Sequence, residues 1–432
     1  MAERLDKATG TIGRSDADDA RNRSFGAGLV DDPYPTYHRL LAECPVHRGG
    51  IGEHFGVPVI GAFAAENTFT AYSYRSVVDV LRNDAVFSNQ WYAPTLTSMI
   101  GPNMLGMDSP AHKRQRLLLQ GAFSKREMRW WRTEIVEPIV HRAIAQLAPL
   151  GRADLYADFA AFIPAQVIVE ALGLPEHDLA QFFEWAIVMT SSVETPERRL
   201  EATTGMANYI GPLCAARRAT PQRDLISILV NATVADEDVD VDVDVDVDID
   251  RHPLSDDEIN GFVRLLLVGG TSTTYRAFGV LLYLLLTHPD QLALLRADRS
   301  LAANAIEESL RLEQPLVAWG RLTTRDIELG GVMIPAGCPV NVNAGSANHD
   351  PVEWPEPDRF DITREHPDRH VTFGFGKHHC LGVHLARMEL DVMLTAVLDR
   401  MANLRLETTD GVGLTGLGFR MVNALPCVWD AG

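Results

Sequence analysis

Residues 373–382 read Phe-Gly-Phe-Gly-Lys-His-His-Cys-Leu-Gly. No other segment constrains the chain as much. It sets one cysteine, Cys380, in a glycine-rich loop behind Phe373 and ahead of a leucine-rich helical pattern. Gly374 and Gly376 permit the sharp backbone turn of a tight loop. Gly382 lets a flat macrocycle approach the main chain. Amides just past Cys380 can point at its sulfur and stabilise negative charge there. A thiolate presented this way suits a haem iron, where it favours O–O cleavage. A lone loop cysteine would by default be a small buried hydrophobe. Five further positions at fixed spacing set that reading aside.

The run resembles the haem-binding signature of cytochromes P450, Phe-Gly-x-Gly-x-His-x-Cys-x-Gly in its common bacterial form, with all fixed positions present. The resemblance implies a mainly α fold with a small β region, the haem buried between a long central helix and the Cys380 loop. It implies haem b as cofactor, O2 as co-substrate, and electrons drawn from NAD(P)H. Cys380 would be the iron ligand, with Phe373, His378 and Gly382 against the cofactor.

A second segment bears on the same chemistry. Ser255-Asp256-Asp257-Glu258 has the form of a capping box opening a long helix, which His288-Pro289 closes. Inside it lies Gly269-Gly270-Thr271-Ser272-Thr273-Thr274. Two glycines in a helix interior cost about 1 kcal/mol each relative to alanine, tolerable where something must approach the backbone or the helix must open. The segment resembles the family's Ala/Gly-Gly-x-acid-Thr-Thr, so Thr273 matches its oxygen-handling, proton-delivering threonine. Gly270 and Ser272 complete the expected catalytic group. Ser272 departs from the family, which usually has Asp or Glu there, and a hydroxyl is a poor acid. A helix-internal hydroxyl bonding back to a carbonyl is the plain alternative for Thr273.

Glu308 and Arg311 lie three apart on one helical face. Alone they would be an ordinary surface pair. The resemblance makes them a buried network that locks the cysteine loop, joined by Arg359 of the Pro-rich meander. His112 and Arg116 lie at i and i+4, offering two donors from one face to the haem propionates. Arg321 and His378 match two further propionate contacts.

The chain has 432 residues, a net charge of -19 and no Gly/Ser/Pro linker. The expectation is a disordered stretch over 1–24 and one haem-binding domain over 25–432. Acidity argues against nucleic-acid binding, which needs a basic face. Residues 236–250 alternate Val and Asp and read as a low-complexity acidic loop. Five scattered cysteines do not form a disulfide framework, which fits a reducing cytoplasm. The apolar stretch 265–286 is bordered by Arg264 and interrupted by Arg276, two glycines and four hydroxyl residues. It falls short of a membrane span of about 20 apolar residues. A soluble, cytoplasmic protein without membrane contact is expected.

No flavin domain or iron–sulfur cysteine set is present, so electrons come from a separate ferredoxin or flavodoxin-type donor and its reductase. Lys113, Arg114, Lys125, Arg126, Arg129 and Lys377 form a candidate basic docking patch. Family loops place the substrate among Phe87, Trp91, Tyr92, Leu105, Val268, Gly269, Leu316, Val317, Trp319, Phe419 and Val422. This lining has no obvious counter-ion and implies an uncharged, apolar small molecule. The leading reading is a monooxygenase that inserts one oxygen atom by hydroxylation or epoxidation. Peroxide-driven or rearrangement chemistry at the same haem is the alternative, and a non-enzymatic haem sensor a lesser one.

Overall fold

The computed structural model describes residues 5–6, 11–12, 29–57, 67–190, 195–233 and 252–431. The acidic tract 236–250 and most of the segment 1–24 lie outside them. Within 1–24, Leu5–Asp6 and Thr11–Ile12 pair as an antiparallel ladder. Thr11 and Ile12 are β-branched, which suits an extended backbone.

Helices dominate the chain, and they begin and end where the sequence supplies caps and breakers. Helix α1 is Tyr34–Glu43 and α2 is Tyr74–Arg82, the latter capped by the Ser73 side chain on the Ser76 amide. Helix α3 is Ala111–Gln120. A run of further helices fills 125–230, the longest being Pro196–Ala219. The central helix α4 spans Asp256–Thr287, with both halves of the Ser255–Glu258 capping box formed. It runs unbroken through Gly269-Gly270, so the glycine pair does not open it. Helix α5 is Ala302–Leu312 and α6 is Val383–Arg400.

One sheet of five strands, together with smaller ladders, flanks the helices. Its order is β1 (Val46–Arg48), β2 (Phe69–Ala71), β5 (Pro339–Asn343), β4 (Ala318–Thr323), β3 (Phe87–Ser88). Strand β5 runs parallel to β2 and antiparallel to β4. The register sets Val340 opposite Arg321 and Asn341 opposite Gly320.

The larger apolar core gathers α4, α5, α6 and the helices between 125 and 230. A smaller core fills the space between the sheet and α2, with Val77, Val340, Val342 and Val371. Helix α4 is the one described helix long and apolar enough to cross a membrane, and most of it is buried inside the protein. Its burial is that of a core helix.

Candidate active site

The cysteine loop hangs between α5 and α6. Gly374 and Gly376 adopt φ of 72° and 69°, the left-handed region where a Cβ is strained. A Cβ on Gly376 would also meet the Leu81 carbonyl at 2.6 Å. The Gly374 amide donates to the Val371 carbonyl and the Cys380 amide to the Phe373 carbonyl, each at 2.8 Å. Cys380 is thereby held at the end of the loop, half-buried as a residue. Burial pushes its thiol above the usual value, while the Gly382 amide, Arg116 and Arg387 pull it back. The surroundings lower the thiol's pKa without overcoming desolvation. A positive metal centre would complete the deprotonation.

Interior space lies beside this loop and beside α4. A Cβ built on Gly382 or on Gly269 would meet nothing within 4 Å. Gly269 is exposed and Val268 and Thr273 are half-exposed, although the helix around them is buried. Phe373, Leu381, Leu316 and Val268 edge the same core cluster. Room beside a glycine of the central helix and beside a glycine of the cysteine loop is what a macrocycle held between these two elements would need.

Positive groups crowd one end of that space. The rings of His112 and His378 stack with centroids 3.7 Å apart. The His112 Nε2 atom is buried without a hydrogen-bond partner. Burial, followed by Arg116, carries His112 down to about 4; burial, followed by His112 and Arg321, carries His378 down to about 2. Arg116 reaches the His379 carbonyl at 2.7 Å. Arg321 is buried, bonds the Gly320 carbonyl at 2.8 Å, and is held below its ordinary value by burial, with Tyr92 and Asp108 opposing. Imidazoles that resist protonation beside one buried and one half-buried guanidinium leave an excess of positive potential. A dianionic group relieves it, and the two propionates of haem have that chemistry.

On α4 the hydroxyls bond backwards. Thr273 Oγ1 donates to the Gly269 carbonyl at 2.5 Å and Thr274 Oγ1 to the Gly270 carbonyl at 2.8 Å. Ser272 is buried, and its hydroxyl makes only a 3.5 Å contact with the Val268 carbonyl. Of the two, Thr273 is the one on the accessible face. Arg276, one turn on, donates to the Ser272 carbonyl at 2.9 Å and lies over the Phe419 ring at 4.5 Å.

Glu308 and Arg311 are both 0% exposed and form a two-point pair at 2.8 and 3.0 Å. The third member is Arg364, not Arg359. Arg364 Nε lies 3.0 Å from both Glu308 oxygens, and its other nitrogens bond the Pro355, Glu356 and Arg359 carbonyls. The Arg359 side chain is 56% exposed and pairs with Glu356 and Asp361. Two successive turns explain the exchange. One, closed by the Arg359 amide on the Glu356 carbonyl, with Glu356 at φ 47°, throws Arg359 outward. The next, closed by the Arg364 amide on the Asp361 carbonyl, swings Arg364 in. Arg311 also clasps the Asn348 and Pro357 carbonyls at 2.8 Å.

Two further charged clusters went unread in the sequence. Glu307 bonds Arg387 and His370. Burial opposes its ionisation, but His370 and Arg387 prevail and hold it at about 2. Arg387 in turn lies over the Phe373 ring at 5.0 Å, which ties α5 and α6 to the loop. Arg420 pairs with Glu313 at 2.8 Å, both buried. An arginine whose acid lies 80 or 107 positions away gives no local pattern to read.

The expected substrate lining divides. Leu105, Val268, Leu316 and Trp319 are half-exposed and Gly269 is exposed. Phe87 does not line the space: β3 pairs with β4, and this buries Phe87 in the smaller core. Val317 is buried with Tyr37, Leu40 and Tyr72. Val422 is fully buried in the main core, touching the position of a Cβ on Gly279. Tyr92 is buried and interacts with Arg321, so it belongs to the cationic end. Trp91 lies against Gly320, where a Cβ would meet its ring at 2.4 Å. Phe419 is buried beneath Arg276.

The basic patch also thins. Arg114 is drawn to Glu258 at 2.6 Å and to the His252 carbonyl, so it braces the start of α4. Lys377 pairs with Asp84 at 3.0 Å. Arg126, 78% exposed, and Arg129, also exposed, remain on the surface. The side chain of Lys125 lies outside what the structure describes.

A family model described as Cytochrome P450 matches residues 58–411. The cytochrome P450 monooxygenase PikC of Streptomyces venezuelae is 36% identical over 423 residues, covering 95% of this chain and 94% of that one. The mycinamicin IV hydroxylase/epoxidase of Micromonospora griseorubida is 36% identical over 342 residues, 78% of this chain and 82% of that one. Among solved structures, the myxobacterial cytochrome P450 CYP267B1 in complex with myristic acid superposes with a TM-score of 0.79 at 32% identity, covering 95% of this chain and 99% of that one.

Proposed function

The chain belongs to the cytochrome P450 family, and from that premise we propose how its own residues serve a haem-thiolate monooxygenase acting on an apolar small molecule. The observation that carries the reading is Cys380 in its glycine loop, with room left open at Gly382 and at Gly269, and with His112 stacked on His378 near Arg116 and Arg321.

When bound, the haem would supply the oxygen chemistry: with two electrons, two protons and O2, one oxygen atom enters the substrate and the other leaves as water. Cys380 would hold the iron as thiolate, its charge eased by the Gly382 amide, Arg116 and Arg387. His112, Arg116, Arg321 and His378 would hold the propionates, and Phe373 and Gly382 would border the ring. Thr273 stands on the accessible face of α4 and can release the Gly269 carbonyl to pass a proton inward. Ser272 offers only a buried hydroxyl behind it. Leu105, Val268, Leu316 and Trp319 would exclude water around an apolar body.

Bacterial P450s receive their electrons from redox partners. For this chain the donor would be a ferredoxin or flavodoxin served by a reductase, steered by Arg126 and Arg129 on the surface. A cytoplasmic location follows from the same reading. Peroxide-driven or rearrangement chemistry is the second reading, and Ser272 in place of an acid favours it. Electron consumption that rises with substrate separates the two.

The test is the ferrous carbon monoxide spectrum of the purified protein beside Cys380→Ser. The expected result is a thiolate-type Soret band in the native protein, lost in the variant while circular dichroism stays the same. A variant that kept the thiolate band would overturn the assignment of Cys380.

A further inference from the structure

Buried arginines sort by what neutralises them. Arg217 pairs with Asp224, Arg311 with Glu308 and Arg420 with Glu313. Arg276 is stacked on aromatic rings. Arg321 stands at the cationic end assigned above to the cofactor. Arg264, on α4 and 7% exposed, fits none of these classes. Its Nε donates to the Asn260 carbonyl at 3.0 Å. Among the described residues no hydrogen bond or ion pair is made by its Nη atoms. The acid that acts on it at all is Asp257, two turns back toward the start of the helix, and burial outweighs it. A desolvated guanidinium without a carboxylate is costly in a fold and calls for an anion.

Its position says which anion. Val268, on the accessible face, stands one turn further along the same side of α4. Over Arg264 lies the loop that carries Leu105. That loop docks on α4 where Gly261 would carry no side chain: a Cβ there would strike the Pro102 carbonyl at 2.1 Å. At Gly101, with φ 81°, a Cβ would meet Arg264 Nη1 at 3.0 Å. Two glycines thus let backbone close over the guanidinium and leave no side chain to satisfy it. Nearby on the helix, Asn260 Oδ1 is buried without a partner, so the site also has an acceptor for a protonated or hydroxylated neighbour group.

We propose that Arg264 determines specificity by pairing with a carboxylate on an otherwise apolar substrate, whose body runs past Val268 toward Thr273 and Cys380. The inference deepens the monooxygenase reading and rests on it. Val268 and Leu105 are apolar and Arg264 lies one turn from the first and beneath the loop of the second, so an apolar acid fits where an uncharged molecule would leave Arg264 unpaired.

The experiment measures binding of three acids, each beside its methyl ester: dodecanoic acid, naphthylacetic acid and abietic acid. Haem-loaded native protein, Arg264→Gln and Arg264→Lys are titrated by calorimetry and, in parallel, by the Soret shift. In at least one pair the acid binds native protein tighter than its ester by roughly 10- to 100-fold, the range of one charge-assisted hydrogen bond. Arg264→Gln loses that preference with ester affinity unchanged, and Arg264→Lys keeps most of it. No preference in any pair, or a preference that survives Arg264→Gln, overturns the inference. Failure of the haem-thiolate reading shows separately, as a missing thiolate band in the native carbon monoxide spectrum, while calorimetry still reports on the acid site.

Discussion

The Glu308 cluster and the His112–Arg321 cluster are both buried, both rich in arginine and both close to the cysteine loop, yet they are built on opposite rules. Around Glu308 every charge is answered. The carboxylate takes Arg311, Arg364 and the Asp361 amide, and the arginines spend their remaining donors on carbonyls of the meander. Around His112 the guanidiniums of Arg116 and Arg321 form no ion pair with an acid among the described residues, and one imidazole nitrogen has no partner at all. Closed electrostatics hold a shape; open electrostatics wait for a ligand.

Breaking the closed cluster should have the largest effect. Glu308→Ala leaves two guanidiniums facing each other without an acid, a loss of about 3–5 kcal/mol for a severed buried pair. The expected outcome is protein without haem, or little folded protein, read by haem content and thermal unfolding. Arg364→Ala should approach that result, whereas Arg359→Ala should change stability by less than about 1 kcal/mol, as for exposed pairs. Equal effects of the two would mean that the meander's turns are not what divides their roles.

That contrast shows where sequence stops being informative. The cysteine loop, the capping box of α4 and the Glu308–Arg311 spacing are local patterns, and each formed as its residues dictate. Arg359 and Arg364 differ only through two consecutive turns, and nothing in Pro357-Asp358-Arg359-Phe360 announces which arginine faces inward. Phe87 read as pocket because it falls in the loop that matches one of the family's substrate loops; a two-residue strand pairing buried it elsewhere. Arg264 read as the polar border of an apolar stretch. The signal was present: neither Asn260 and Gly261 before it nor Leu267 and Val268 after it can neutralise a charge one turn away.

The open cluster should respond to pH before the closed one does. His112 falls to about 4 in the folded protein from an ordinary 6.5, through burial and then Arg116. Between those values the unfolded chain holds the extra proton. Stability is therefore complete above about pH 6.5 and lost as pH drops toward 4, by at most about 3 kcal/mol. Urea unfolding of haem-free protein at pH 7 and pH 5 measures it, and His112→Gln should remove this share of the slope while His378, itself held at about 2, keeps the rest. With a dianion bound, the imidazoles protonate more readily and the slope should shrink. An identical slope with and without haem would separate this cluster from the propionates.

Arg321→Ala sharpens the comparison further. Removing a cation from a surplus leaves haem-free stability unchanged or slightly raised, the reverse of Arg311→Ala. Haem retention should weaken by about tenfold or more, the worth of one charge-assisted hydrogen bond. Haem transfer to apomyoglobin measures it. A large loss of haem-free stability would place Arg321 among the closed electrostatics instead.

The smallest effect is expected where the chain departs from its family. A full general acid contributes roughly 100-fold or more, and Ser272→Asp restores the residue type that usually does this work. Position 272 here is buried, however, and Arg276 already donates to its carbonyl from one turn away. A carboxylate introduced there is placed to pair with that guanidinium at i, i+4, which keeps it ionised and turned from the accessible face that Thr273 occupies. Peroxide released per electron consumed should therefore fall by about tenfold at most. No change in turnover or peroxide release would mean that the acid position does not limit this enzyme. A 100-fold improvement would mean that position 272 reaches the reaction directly, and that a closed pair with Arg276 does not form.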